Sequence, residues 1–187
     1  ADAGLKPDLI LTMGGGARDQ ASIARRLGIR VVDLPYPQTI PDIEASVSRV
    51  AAELGQPARA KAIIGQIERL RRTTPRGALD PMWLGGGGRS LPATGLAAEW
   101  MRLAGLRQRQ LRGDRVTLEQ LLVSPPQVLL RSDYRAGEYS GEQRWLNHPL
   151  AQRTRAGKTL ATDGRRWTCM GPSLVPEMAR LRRELAR

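Results

Sequence analysis

A chain of 187 residues with one histidine, His148, and one cysteine, Cys169, has few ways to build a nucleophilic site. His148 precedes Pro149 inside an apolar stretch, which reads as a structural position near a helix start. Cys169, between Thr168 and Met170, reads as a small packed residue. No Gly-x-Ser-x-Gly elbow is present. A lone His with a lone Cys excludes a zinc site of the usual His/Cys type, and one Cys excludes an internal disulfide. The 18 acidic residues are scattered and offer no pair that stands out for acid–base work. The sequence thus assigns no catalytic residue, no metal ligand and no resident cofactor. An enzyme would have to draw its groups from Asp133, His148 and Cys169.

Binding is better supplied. Gly14-Gly15-Gly16 and Gly85–Gly88 each follow an apolar segment that reads as a strand. Neither has the Gly-x-Gly-x-x-Gly spacing or the Lys-Ser/Thr of a nucleotide loop. Both fall at the carboxyl edge of a predicted sheet, where open α/β folds bind ligands. Tyr36 and Trp167 lie beside strand-ending segments, where amphipathic rings suit a cleft wall. Trp100 falls on a helical apolar stripe and is expected in the core.

The formal charge is +12, and 27 of the 30 basic residues are arginine. Residues 1–74 carry 11 basic and 8 acidic residues, and residues 75–187 carry 19 and 10, so the excess belongs to the second part. Such a balance would suit nucleic acid, an anionic surface or an anionic ligand. The basic residues are scattered singly and in pairs, and no stacking aromatics interleave with them, which argues against nucleic acid. Apolar runs such as Leu9–Leu11 and Val128–Leu130 fall far short of the roughly 18 residues of a membrane helix. The opening Ala-Asp-Ala-Gly, without an initiator Met or a signal peptide, is expected of a processed or cut chain.

The elements that position these residues follow from periodicity. Pro7–Thr12 predicts a strand, residues 17–27 a helix closed by Gly28, and Arg30–Leu34 a second strand: one βαβ unit with parallel pairing. Thr39 with Asp42 forms a capping box for a helix reaching Leu54, and Pro57 opens another to Arg72. Alternation then resumes. Leu79–Leu84, Gln127–Arg131 and Lys158–Thr162 read as strands. Gly95–Ala104, Leu118–Val123, Trp145–Gln152 and Pro176–Leu185 read as helices, the second of them capped by Thr117 with Gln120, and residues 132–141 as a loop. The fold class is α/β, with two Rossmann-like units and a helical bridge.

These parts, in this order, resemble the periplasmic substrate-binding proteins of metal-chelate ABC importers, the cobalamin, ferric-siderophore and haem binders. The likeness is carried by Leu5–Leu11, the glycine turn and Leu27–Val32. It continues in Leu103–Leu106, Thr117–Glu119, Pro125–Val128, His148–Leu150 and Trp167 with Gly171–Ser173. The resemblance implies two α/β lobes joined by a long helix, with the start of the first lobe lacking: residues 1–38 as its remainder, 39–74 as the bridge and 75–187 as the second lobe. It also implies capture without chemistry of a ferric siderophore, haem or cobalamin in the periplasm, then delivery to an inner-membrane permease. Ligand contacts would come from Met13, Gly14, Gly15, Arg18, Tyr36, Arg89, Tyr134, Arg135 and Trp167, the arginines meeting carboxylate or catecholate charge. Glu99 would serve permease docking. A trimmed first lobe would leave sheet edge and apolar surface open, so dimer contacts, strand swapping or a weakened site are expected.

Overall fold

The computed structural model describes residues 6–15, 18–133 and 157–187. The predicted helix over Trp145–Gln152 and most of the 132–141 loop lie outside them. In the first lobe β1 (Leu9–Met13) leads through α1 (Arg18–Arg26) to β2 (Arg30–Leu34), and the two strands pair in parallel from Leu9 opposite Arg30 to Met13 opposite Leu34. This is the βαβ unit that the sequence predicts. Its core is small, with Ala21, Ala24, Val32 and Leu34 buried. Leu11 and Met13 stay about half exposed, at 41% and 48%.

The bridge is an antiparallel pair, α2 (Ile40–Glu53) and α3 (Pro57–Arg72). Thr39 accepts from Asp42 N while the Asp42 carboxylate accepts from the Thr39 and Gln38 amides, so the predicted capping box forms. Those amides, with that of Gln38 foremost, hold the Asp42 carboxyl below the usual carboxylate range.

In the second lobe β3 (Pro81–Leu84), β4 (Val128–Asp133) and β5 (Lys158–Asp163) form a parallel sheet in the order β3-β4-β5. The helices are α4 (Gly95–Leu103), α5 (Leu118–Val123), α6 (Gly164–Cys169) and α7 (Leu174–Leu185). One apolar cluster runs through Trp83, Val128 and Leu130 of the sheet, Trp100 and Leu103 of α4, and Leu174, Met178 and Leu181 of α7. It includes Ile40, Ile43, Ile67 and Leu70 of the bridge, so the bridge and the second lobe share one core. Met82, Leu84 and Leu129 project from the opposite sheet face onto Leu111, Val116 and Leu121.

Two polar assemblies tie these layers. Arg182 of α7 donates to Leu70 O (2.5 Å) and Thr73 O (3.1 Å) at the end of α3, to Leu103 O at the end of α4, and to the Thr73 and Thr74 hydroxyls. The last carbonyls of a helix lack intrahelical donors, and a guanidinium with five N–H groups satisfies several at once. The second assembly starts at Trp167 Nε1, which donates to Thr162 Oγ1 (2.8 Å). The Thr162 hydroxyl donates to buried Glu177 (2.7 Å), whose carboxylate also takes two bonds from Arg180. Burial works against the Glu177 charge, but the Arg180 and Thr162 bonds outweigh it and hold the carboxyl below the usual glutamate range.

Two outcomes follow. Arg182→Leu should lower unfolding free energy by about 2–4 kcal/mol in urea titrations, because it strips donors from two helix ends, while Arg183→Leu on the exposed side should change it by less than about 0.5 kcal/mol. A carboxylate depressed in the native state contributes stability above its unfolded pKa and loses it as pH falls through the folded value. Stability should therefore be flat through neutrality and decline below about pH 4.5, and Glu177→Gln should show a shallower decline in the same titration.

Candidate functional site

The carboxyl ends of β1 and β2 organise the first side of the site. Gly14 and Gly15 take φ of +64° and +68°, which only glycine adopts freely, and Gly14 N donates to Leu34 O (2.8 Å) to fold the turn back over β2. Asp33 Oδ1 accepts from the Thr12 hydroxyl (2.7 Å) and from Gly15 N (3.3 Å). Thr12 and Asp33 are register partners, so alternation puts both side chains on one sheet face, where they brace the glycine turn. Tyr36 lies against Gly14 and is 66% exposed.

A cavity of about 440 Å³ opens between the lobes. Met13, Tyr36 and Pro37 line it from the first side; Pro92, Thr94 and Leu96 at the start of α4, with Cys169 and Met170 at the end of α6, line it from the second. Beside it an apolar trough of about 350 Å³ continues along the bridge, between Met13 and Leu34 and the Val47, Leu54, Ala60 and Ile63 faces of α2 and α3. A third cavity, of about 390 Å³, holds Gly15, Arg18, Arg25 and Asp33 at the start of α1. The structure thus brings Met13 and Tyr36 into one space and Gly15 and Arg18 into another next to the same turn. The inter-lobe space offers aromatic, thioether and methyl surface, fit to enclose a bulky, largely apolar body.

Other expected contacts are placed elsewhere. Arg89 is exposed and lines none of these three cavities. Its turn is closed by Gly85 N bonding to Arg89 O (2.8 Å) and packed on the 111–116 segment, where Val116 N donates to Gly88 O (2.8 Å). Tyr134, Arg135 and His148 lie outside the described residues.

Trp167 and Glu99 differ from expectation. Trp167 is 2% exposed, its ring edge-on to Trp83 with centroids 6.3 Å apart, so it belongs to the core and not to the cleft wall. The side chain of Glu99 is turned to the bridge, where its Oε2 accepts from Ile40 N (2.8 Å) at the amino end of α2. It stabilises that helix end by charge and by filling an orphan donor, in place of the surface docking role expected of it. Cys169, expected to be packed, is exposed and borders the cavity. The reading of sequence also missed Pro37, Pro92, Thr94 and Met170. Met170 takes a left-handed φ of 47° as α6 ends, and its carbonyl accepts from Trp100 Nε1 (2.8 Å), which holds the loop at the cavity rim. As a core residue Trp167 should behave as one: Trp167→Ala should cost roughly 3–5 kcal/mol of stability in urea, and Trp167→Phe clearly less.

No family model and no curated protein matches the sequence. Solved structures do match. The periplasmic haem-binding protein HutB of Vibrio cholerae superposes with a TM-score of 0.76 at 18% identity, covering 97% of this chain and 77% of that one. A periplasmic haem-binding protein from Pseudomonas aeruginosa gives 0.68 at 22%, covering 95% and 71%. A possible iron-binding, periplasmic solute-binding protein from Staphylococcus epidermidis gives 0.69 at 13%, covering 97% and 77%. At these identities the likeness speaks for architecture, and it agrees with the parallel sheets, the helical bridge and the inter-lobe space. The chain has the fold of the periplasmic solute-binding proteins.

Proposed function

We propose that this chain is the solute-binding component of an ABC importer, which captures a metal chelate of the haem, ferric-siderophore or cobalamin type and presents it to a membrane permease. The observation that carries the reading is the inter-lobe cavity at the carboxyl ends of β1 and β2, set on a fold shared with periplasmic haem- and iron-binding proteins. The bridge shares its core with the second lobe, so that wall of the site is preformed and closure on the ligand is left to small adjustments of the first lobe. Met13 and Tyr36 supply apolar contact, while Arg18, just after the glycine turn, and Arg25, in the last turn of α1 along the same cavity, meet carboxylate or catecholate charge at the ligand's edge. The proposed location is the periplasm, in keeping with the periplasmic haem-binding proteins whose fold the chain shares. No described helix is long and apolar enough to cross a membrane.

The test is a titration with haemin, cobalamin and a panel of ferric siderophores, followed by the absorbance of each ligand. One of them should saturate at one equivalent with micromolar or tighter Kd. Tyr36→Ala should weaken it at least about tenfold, the range for losing one buried aromatic contact. Saturation by none of them would remove the chelate-capture reading.

A further inference from the structure

The far end of the second lobe, opposite the carboxyl ends of its strands, is where α3, α4 and α7 all terminate. Arg182 reaches the last turns of α3 and α4 from the last turn of α7. Pro75 lies against Gly105, where an added Cβ would be 3.0 Å from its ring, and Leu79 bridges to Leu106. Around this junction Arg69, Arg72, Arg76, Arg102, Arg107 and Arg183 are all exposed. The acids of this end are mostly engaged: Glu44 with Arg71, Asp80 with Arg109 and Glu184 with Arg180, leaving Glu68. None of the six arginines has an acidic partner among the described residues. Three helix carboxyl ends contribute about half a negative charge each, far less than six guanidinium groups. Guanidinium does not titrate in the physiological range, so this face is cationic at every working pH.

We propose that this face adsorbs on an anionic phospholipid bilayer. The charges are spread over the ends of three helices and the loops after them, and none of the six lines any of the three cavities, so they suit an extended anionic surface better than one small anion. The exposed large apolar side chains at this end are Leu122 and Val123 at the close of α5, beside Ser124, whose oxygens accept from Arg109. The six guanidinium groups carry the attraction, so contact is salt-sensitive. The described aromatic rings Trp83, Trp100 and Trp167 are buried and Tyr36 lies at the cleft, so this face has no described ring for base stacking, which favours lipid over single-stranded nucleic acid. Adsorption at this end leaves the inter-lobe cavity open. The proposal stands on the charge arrangement and does not depend on which ligand the cavity takes.

Sedimentation with vesicles tests it, using phosphatidylcholine alone or with 30% phosphatidylglycerol, at about 50 mM and about 500 mM salt. The protein should pellet only with the anionic vesicles at low salt. The triple variant R72E/R76E/R183E should lose roughly 100-fold or more in partitioning, given the usual attraction per arginine near such a surface. The variant R26E/R49E/R112E makes the same change in net charge at exposed positions outside this face and should lose far less. Circular dichroism of both variants checks that each is folded. Absence of pelleting with anionic vesicles at low salt, or equal loss in the two variants, would overturn the proposal. So would duplex DNA that strips the protein from the vesicles and binds it more tightly through the same three arginines, which would make the face a nucleic-acid surface.

Discussion

Helices that converge by their carboxyl ends set a problem in electrostatics, since each brings unpaired carbonyls and the negative end of its dipole. Here α3 and α4 stop side by side, and Arg182 of α7 answers with donors to both and to the threonines that follow α3. Burial opposes the guanidinium charge and lowers its pKa, yet that group stays charged at any pH the protein meets. The orientation of the bridge on the second lobe depends on this junction together with the shared core of Ile67, Leu70, Trp100, Leu103 and Leu181. Since the bridge also carries one wall of the apolar trough, the shape of the inter-lobe space is set from the far end of the molecule.

At the opposite end the construction is lighter. The first lobe has two parallel strands, few buried side chains and a turn braced by Asp33. Parallel pairs are seldom stable alone, so this lobe depends on α1 on one face and the bridge on the other. Arg30 pairs with Glu53 at the end of α2, adding a polar tie on the bridge side. A site between a firm lobe and a slighter one is suited to enclosing a ligand by small adjustments on the slighter side.

Local signals were legible in the sequence and long-range partners were not. The boundaries of β2 and α3 and both threonine capping boxes follow from Arg30–Leu34, Pro57, Thr39 with Asp42 and Thr117 with Gln120, all of which act within a few residues. Helix α6 escaped because Gly164-Arg165-Arg166-Trp167 has no apolar stripe, although Asp163 caps it by accepting from Arg165 N. Trp167 reads as a cleft residue from its place beside a strand-ending segment, next to Arg166. Its burial depends on Trp83, distant in sequence, and on Thr162 one strand end earlier. Glu99 and Arg182 gave no signal for the same reason, since their acceptors and donors arrive from other parts of the chain. In the site, the glycine turn, Met13 and Tyr36 were visible by their place after a strand. Thr94, Cys169 and Met170 were not, because only the packing of α4 against α7 and the turn at Met170 brings them to the rim.

The bond from Ile40 N to Glu99 gives residues 35–39 a mechanical character. Pro35 and Pro37 fix two backbone torsions in this five-residue arm, and its far end is pinned to α4. The near end continues directly from β2. Any rocking of the first lobe must then be taken up along this stiff arm, with Tyr36 between its two prolines and lining the cavity. Tyr36 is thereby the pointer of a lever whose fulcrum is Glu99, so a tilt of the small lobe and a change in the width of the cavity mouth become one motion.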